Sequence, residues 1–230
     1  MKYEKRILVF IDMLGFSEKV NNTIDNEGNE IHKETEFIYN LFDDAQELLN
    51  RTFDYKTNNS RVFNHFSDTI VISCLETEEG GVFSLFTDVI FLLLASLKRN
   101  TLLRGSVVCD WLCHEEGKIF GPALIKAYNV ENNIAIYPRI VFDEEIFAIA
   151  EMYPAKWIKK SDRNNISKYL ITKDFDGLYY FDYKKIINYF SSDKYENIYS
   201  KILIKLIIEL AGAKDSKKIS KYLWLKEKYL

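Results

Sequence analysis

The chain has 230 residues, 47% of them hydrophobic, which is ample for one generous domain or for one domain with an appendage. A net charge of −3 and a pI near 5.8 exclude the overall basic surface of a nucleic-acid or membrane-surface binder, so any phosphate it handles has to be bound locally. Cys74, Cys109 and Cys113 are an odd set without zinc-ligand spacing, which reads as reduced thiols in a cytoplasmic protein.

The first strand begins within a few residues of the N-terminus, leaving no room for a signal peptide. It runs from Ile7 to Ile11 as an unbroken apolar stretch, the pattern of a strand buried on both faces. It delivers one carboxylate, Asp12, before turning at Gly15. A lone carboxylate there costs several kcal/mol unless a positive partner neutralises it, and a metal ion is an economical partner. After a polar, turn-rich insertion, Phe37, Ile38, Leu41, Phe42, Ala45, Leu48 and Leu49 fall at helical spacing and predict an amphipathic helix lying on a sheet. Arg61–Phe66 and Thr69–Leu75 predict paired strands around Ser67 and Asp68, so Asp68 occupies a hairpin tip. Alone it reads as a solvated turn residue. Beside Asp12 it makes a two-carboxylate site for hard divalent cations.

Val82–Leu97 predicts a long apolar helix ending at the basic Lys98 and Arg99; its most apolar part, Val89–Leu97, is too short to span a bilayer. A strand over Leu103–Asp110 follows, then a turn over Gly117–Gly121 into a helix from Pro122 through Glu131. Tyr137–Phe142 predicts a strand, Asp143–Met152 a short helix and Leu178–Phe181 an edge strand. From Lys184 the chain reads as helix, with Ile202–Leu210 apolar nearly all round. No internal repeat and no clear linker divides the chain.

At Phe10-Ile-Asp-Met-Leu-Gly-Phe16, Phe66-Ser-Asp-Thr-Ile-Val-Ile-Ser73 and Arg104-Gly-Ser…Gly117-Lys-Ile-Phe-Gly-Pro-Ala-Leu-Ile-Lys-Ala-Tyr128, the chain resembles class III nucleotidyl cyclases, and among them most the pyrimidine cyclases of the bacterial Pycsar antiphage systems. The resemblance covers roughly residues 5 to 145, and Lys173-Asp-Phe-Asp-Gly-Leu-Tyr-Tyr180 is similar to the same subgroup. It implies an α+β fold: a ferredoxin-like catalytic domain over residues 1–152, an antiparallel sheet with helices on one face, and a C-terminal strand and helical extension over 153–230 packed on it. It also implies a head-to-tail homodimer with active sites at the interface, and two Mn²⁺ or Mg²⁺ ions. The substrate would be a pyrimidine nucleoside triphosphate, UTP or CTP, and the product a second messenger read by a separate effector protein. Neither a nucleic acid nor a membrane is implied as a partner.

On this reading Asp12 and Asp68 hold the metals and the Met13 carbonyl is a third ligand. Phe10 and the Leu14, Gly15 and Phe16 amides lie along the triphosphate, and Arg104 is a candidate phosphate contact. Purine cyclases carry an Asn and, four residues on, an Arg on the helix after the glycine turn; those positions align with Ile125 and Asn129. Lys126, Arg104 or Arg139 would have to supply the missing charge. The family's adenine-selecting Lys and Asp align with Asn64 and Lys118. That disfavours ATP, and the donor-only Lys118 suits uracil O4, which favours UTP over CTP. A catalytically weak module that binds metal and nucleotide stays open as the alternative. His32, His65 and His114 lack metal spacing, and Ser67 has no His and Asp arrangement for a triad.

Overall fold

The computed structural model describes residues 2–33, 35–40, 43, 47, 60–115, 117–160, 169–190 and 193–230. Its organising strand, β1 (Glu4–Met13), pairs antiparallel with β3 (Thr69–Leu75) on one side and β4 (Leu103–Glu115) on the other. Side-chain alternation then does what the apolar run predicts. Ile7, Val9 and Ile11 enter one buried cluster, Leu8 and Phe10 another on the opposite face, all at 5% exposure or less. Gly105 lets β1 and β4 approach, since a Cβ there would lie 2.1 Å from the Phe10 carbonyl oxygen.

With β2 (Val62–Phe66), β5 (Lys118–Phe120), β6 (Ile140–Phe142), β7 (Ile171–Lys173) and β8 (Tyr179–Phe181), the sheet runs β2-β3-β1-β4-β6-β8-β7, with β5 paired to β4. The expected antiparallel sheet contains one parallel step, β4 to β6. A parallel neighbour needs a crossover connection, and the intervening helix α3 (Pro122–Asn133) provides it on the face opposite most other helices. The 178–181 strand is not at the edge as expected. β8 lies between β6 and β7, because the short stretch Ile171–Lys173, with no periodicity to announce it, caps the sheet.

The other face is covered by α1 (Phe16–Asn21), α2 (Gly81–Lys98), α4 (Glu144–Met152), α5 (Tyr183–Phe190), α6 (Asp193–Ala211) and α7 (Ser216–Tyr229), each of which buries side chains in the larger cluster. α2 is long and apolar enough to cross a membrane by length and composition, but here it is the central core helix, with its one carboxylate, Asp88, paired to Arg61 at 2.7 Å inside the protein. Residues 35–40 are helical, and Phe37 and Ile38 pack against the core; Leu41, Phe42, Ala45, Leu48 and Leu49 lie outside the described residues. α6, apolar nearly all round over Ile202–Leu210, is buried on one face only: Leu203, Leu206 and Ile207 are buried, while Ile204 and Ile208 are exposed. The strands of 153–230 thus extend the same sheet as those of 1–152.

Candidate active site

Asp12 stands one residue before the end of β1, on the face that carries Leu8, Phe10 and α3. Its register partners are Thr69 on β3 and Arg104 on β4, so sheet pairing alone brings a guanidinium beside it. Arg104 Nε donates to Asp12 Oδ2 at 2.8 Å, and its Nη2 lies 2.6 Å from Glu131 Oε1. Glu131 reaches the site because Ala123, Ala127 and Glu131 form an i, i+4, i+8 stripe along the buried face of α3. The two alanines let the helix settle on the sheet, and the Ser106 hydroxyl donates to the Ala127 carbonyl at 3.0 Å to fix its height.

Asp68 arrives from the β2–β3 tip, where Ser67 adopts a left-handed φ of 52°. The Met13 N–H donates to the Asp68 carbonyl at 3.2 Å, tying the tip to the end of β1. There the Asp12 and Asp68 carboxyls are near enough for each to act on the other's charge. Burial pushes the Asp12 carboxyl above the usual range; Arg104 opposes the shift and neighbouring Asp68 adds to it. Glu131 is likewise pushed up, first by burial.

Among the described residues no group of three His, Cys, Asp or Glu side chains converges on one point. The available donor set is the Asp12 and Asp68 pair, two hard oxygen ligands held together against their own repulsion. That set fits a divalent cation which completes its shell with water and phosphate oxygens, as Mg²⁺ does.

The remaining residues singled out from sequence divide. Met13 is 3% exposed with its side chain in the core, leaving only its backbone for ligation. The Leu14 N–H is taken by the Leu102 carbonyl at 2.9 Å, which removes it from a phosphate cradle. Gly15 is exposed at φ 78°, the left-handed turn that opens α1, and the Phe16 ring is buried. Phe10 is a core residue under α3, with its ring edge-on to Tyr128. Asn64 reaches the turn that precedes Lys118: its amide accepts from the Gly117 N–H at 3.1 Å and donates to the Glu115 carbonyl at 3.3 Å, and Lys118 is exposed.

Two of the three candidate cations are turned elsewhere. Arg139 is 1% exposed and held by Asp174 and Asp176, each at 2.5 Å, and Lys126 leans toward the Cys109 carbonyl and Glu145. Ile125 and Asn129 are exposed on α3. Sequence reasoning missed Glu131, although the small-residue stripe ending in a carboxylate was the available signal. It also missed Lys221 of α7, which no local pattern announces.

His114 and the three cysteines take no part. His114 Nδ1 bonds Ser73 Oγ at 2.8 Å beside Arg6, and burial, then Arg6, lowers its pKa to about 4. All three thiols are free and buried, and burial pushes Cys109 up to about 12.

No protein-family model and no curated protein matches the chain. Solved structures do. The adenylyl cyclase CyaB from P. aeruginosa is 12% identical over 65% of this chain and 82% of that one, with a TM-score of 0.48. The guanylyl cyclase Cya2 is 10% identical over 65% and 79%, with a TM-score of 0.46. The guanylyl cyclase domain of the RhoGC fusion protein from the aquatic fungus Blastocladiella emersonii is 12% identical over 78% and 96%, with a TM-score of 0.46.

Proposed function

We propose that the chain is a nucleotidyl cyclase that converts a pyrimidine nucleoside triphosphate, UTP in preference to CTP, into the 3′,5′-cyclic monophosphate and pyrophosphate. The observation that carries this reading is the Asp12 and Asp68 pair: one carboxylate near the end of β1 and one from the β2–β3 tip tied to it, with the Arg104 guanidinium bridging Asp12 to a third carboxylate, Glu131. A scaffold gains nothing from such unbalanced charge, whereas a site for metal-borne phosphate requires it.

In the reaction the ribose 3′-oxygen bonds to the α-phosphorus, the bond from that phosphorus to the oxygen bridging to the β-phosphate breaks, and the hydroxyl proton leaves to water. When bound, divalent cations, Mn²⁺ or Mg²⁺, would supply activation of the hydroxyl and stabilisation of phosphate charge. Asp12 and Asp68, with the Met13 carbonyl, would hold those ions. Arg104 orients Asp12 against Glu131. The exposed left-handed turn at Gly15 lets backbone approach the phosphates. Lys118, just past the turn that Asn64 holds, offers a donor to uracil O4, where cytosine presents an amine.

The exposed Ile125 and Tyr128 on α3 and Phe66 at the hairpin tip support a head-to-tail homodimer with composite sites. The product serves as a cytoplasmic signal to a separate effector in antiphage defence, in keeping with the sequence resemblance to pyrimidine cyclases.

Incubation with each of the four nucleoside triphosphates and Mn²⁺, with products identified by mass, tests the reading. Cyclic UMP is the expected product, and cyclic CMP would move the base assignment. Binding without turnover would favour the second reading, a metal and nucleotide-binding module, which the uncharged Ile125 and Asn129 support.

A further inference from the structure

The cyclase reading leaves a charge unassigned. Pyrophosphate leaving the α-phosphorus needs a cation beside the metals, and the α3 positions that the resemblance would give it are Ile125 and Asn129. Arg139 is bound elsewhere, Lys126 is turned toward the Cys109 carbonyl and Glu145, and Arg104 is strung between Asp12 and Glu131, so its charge already serves two carboxylates. Three carboxylates therefore face one guanidinium at this sheet edge.

Helix α7 is anchored on either side of that site. Asp215 caps its start by accepting from the Lys218 N–H at 3.0 Å. Lys218 Nζ then reaches back 200 residues to Glu18 Oε2 at 2.8 Å, on the helix that follows the Gly15 turn. One turn further on from Lys221, Trp224 and Leu225 are buried in the main core, and Trp224 Nε1 donates to Asp174 Oδ2 at 3.0 Å. Lys221 sits between these two anchors, three residues from each, on the face turned toward the protein. It is half-buried. Its helix is anchored from Glu18, just past the Gly15 turn, to Asp174, which holds the Arg139 whose carbonyl accepts from the Gly105 N–H next to Arg104. Between these anchors Lys221 feels the charges of Asp12, Glu131 and Arg104. It makes no hydrogen bond or ion pair with any described residue. A lysine drawn out of water without a partner, beside a surplus of carboxylates, is placed for an anion that arrives with cations.

We infer that Lys221 is the substrate-contacting cation of this site, taking the triphosphate oxygens from α7 in place of the charge that α3 lacks. The inference rests on the cyclase reading of Asp12 and Asp68 for its substrate, but it can be tested without turnover. Its rival is that Lys221 merely offsets Glu131 and Asp12 within the fold.

The experiment measures inorganic tripolyphosphate binding to the full chain by calorimetry with Mn²⁺, in wild type, Lys221→Ala, Lys221→Gln and Lys221→Arg. Melting temperatures and the KM and kcat for the accepted triphosphate are measured alongside. Lys221→Ala and Lys221→Gln should each weaken tripolyphosphate binding about tenfold, Lys221→Arg should recover most of it, and the melting temperature should hold. The near-isosteric Gln variant carries the test if the Ala variant is unstable. Unchanged affinity in both neutral variants, or wild type that binds no tripolyphosphate, overturns the inference. If wild type cyclises a triphosphate while the neutral variants bind and turn over as it does, Lys221 fails and the cyclase reading stands. If wild type makes no cyclic nucleotide yet loses tripolyphosphate on mutation, the reverse holds.

Discussion

Two arginines in this protein sit between pairs of carboxylates, and they do opposite things. Arg139 joins Asp174 and Asp176, and Lys228 and the Trp224 indole N–H complete the cluster around the buried Asp174, so two cations meet two anions. Burial would push Asp174 up, but Lys228, the Phe175 N–H, Arg139 and Trp224 together hold its carboxyl below the usual range. Arg104 joins Asp12 and Glu131 with Asp68 beside them, and burial leaves Asp12 above the usual range. One cluster is closed and balanced, and it pins α7 to the sheet. The other is open and carries surplus negative charge. A structural ion network satisfies itself, whereas a binding site leaves something for its ligand.

The sharpest way to break that comparison is to remove a carboxylate from the open cluster. Asp12→Ala or Asp68→Ala should abolish turnover, by at least about a hundredfold, while the melting temperature holds or rises because a like-charge contact disappears. Residual activity in either variant above that level, in the mass-based assay of cyclic product, would sink the metal-ligand assignment. The mirror experiment is Arg139→Ala. It strands Asp174 and Asp176 and should cost about 3–5 kcal/mol in urea unfolding. A loss below about 1 kcal/mol would mean the network is decoration.

The Ser73, His114 and Arg6 cluster is a third buried polar group, and it sharpens the contrast through pH. The folded-state pKa of His114 lies near 4, below the unfolded value of about 6.5, so the folded form binds fewer protons in that interval. Its contribution is complete above pH 6.5 and is lost as pH falls through 4. Between pH 7 and pH 5 wild type should lose about 2 kcal/mol that His114→Gln does not. Equal slopes for the two proteins would remove His114 from the account.

The smallest expected effect concerns the base. Lys118→Asp replaces a donor with an acceptor, and the ratio of UTP to CTP specificity constants should fall about ten- to a hundredfold. An unchanged ratio with uniformly poorer turnover would mean that Lys118 touches phosphate or solvent instead.

Much of the frame is legible in the chain itself. The burial of β1 on both faces follows from its apolar run, the β2–β3 tip from two strand-like runs separated by Ser67-Asp68, and the start of α3 from Pro122. These are local signals with a fixed period, so a single stretch contains all of the information.

What a period cannot convey is which face meets which. The parallel step from β4 to β6 and the interior place of β8 follow from pairings between segments far apart in sequence. The site follows the same division. Asp12 and Asp68 are visible as solitary carboxylates at strand ends, so the sequence by itself determined the chemistry on offer. Tertiary structure alone decided that Arg104 is spent between Asp12 and Glu131, that Arg139 is locked in the core, and that α7, anchored on Glu18 and Asp174, brings Lys221 back to the site. The reason is physical: a charge has a strong local pattern only when its partner is one or two turns away, and here the partners meet across the sheet and from opposite ends of the chain.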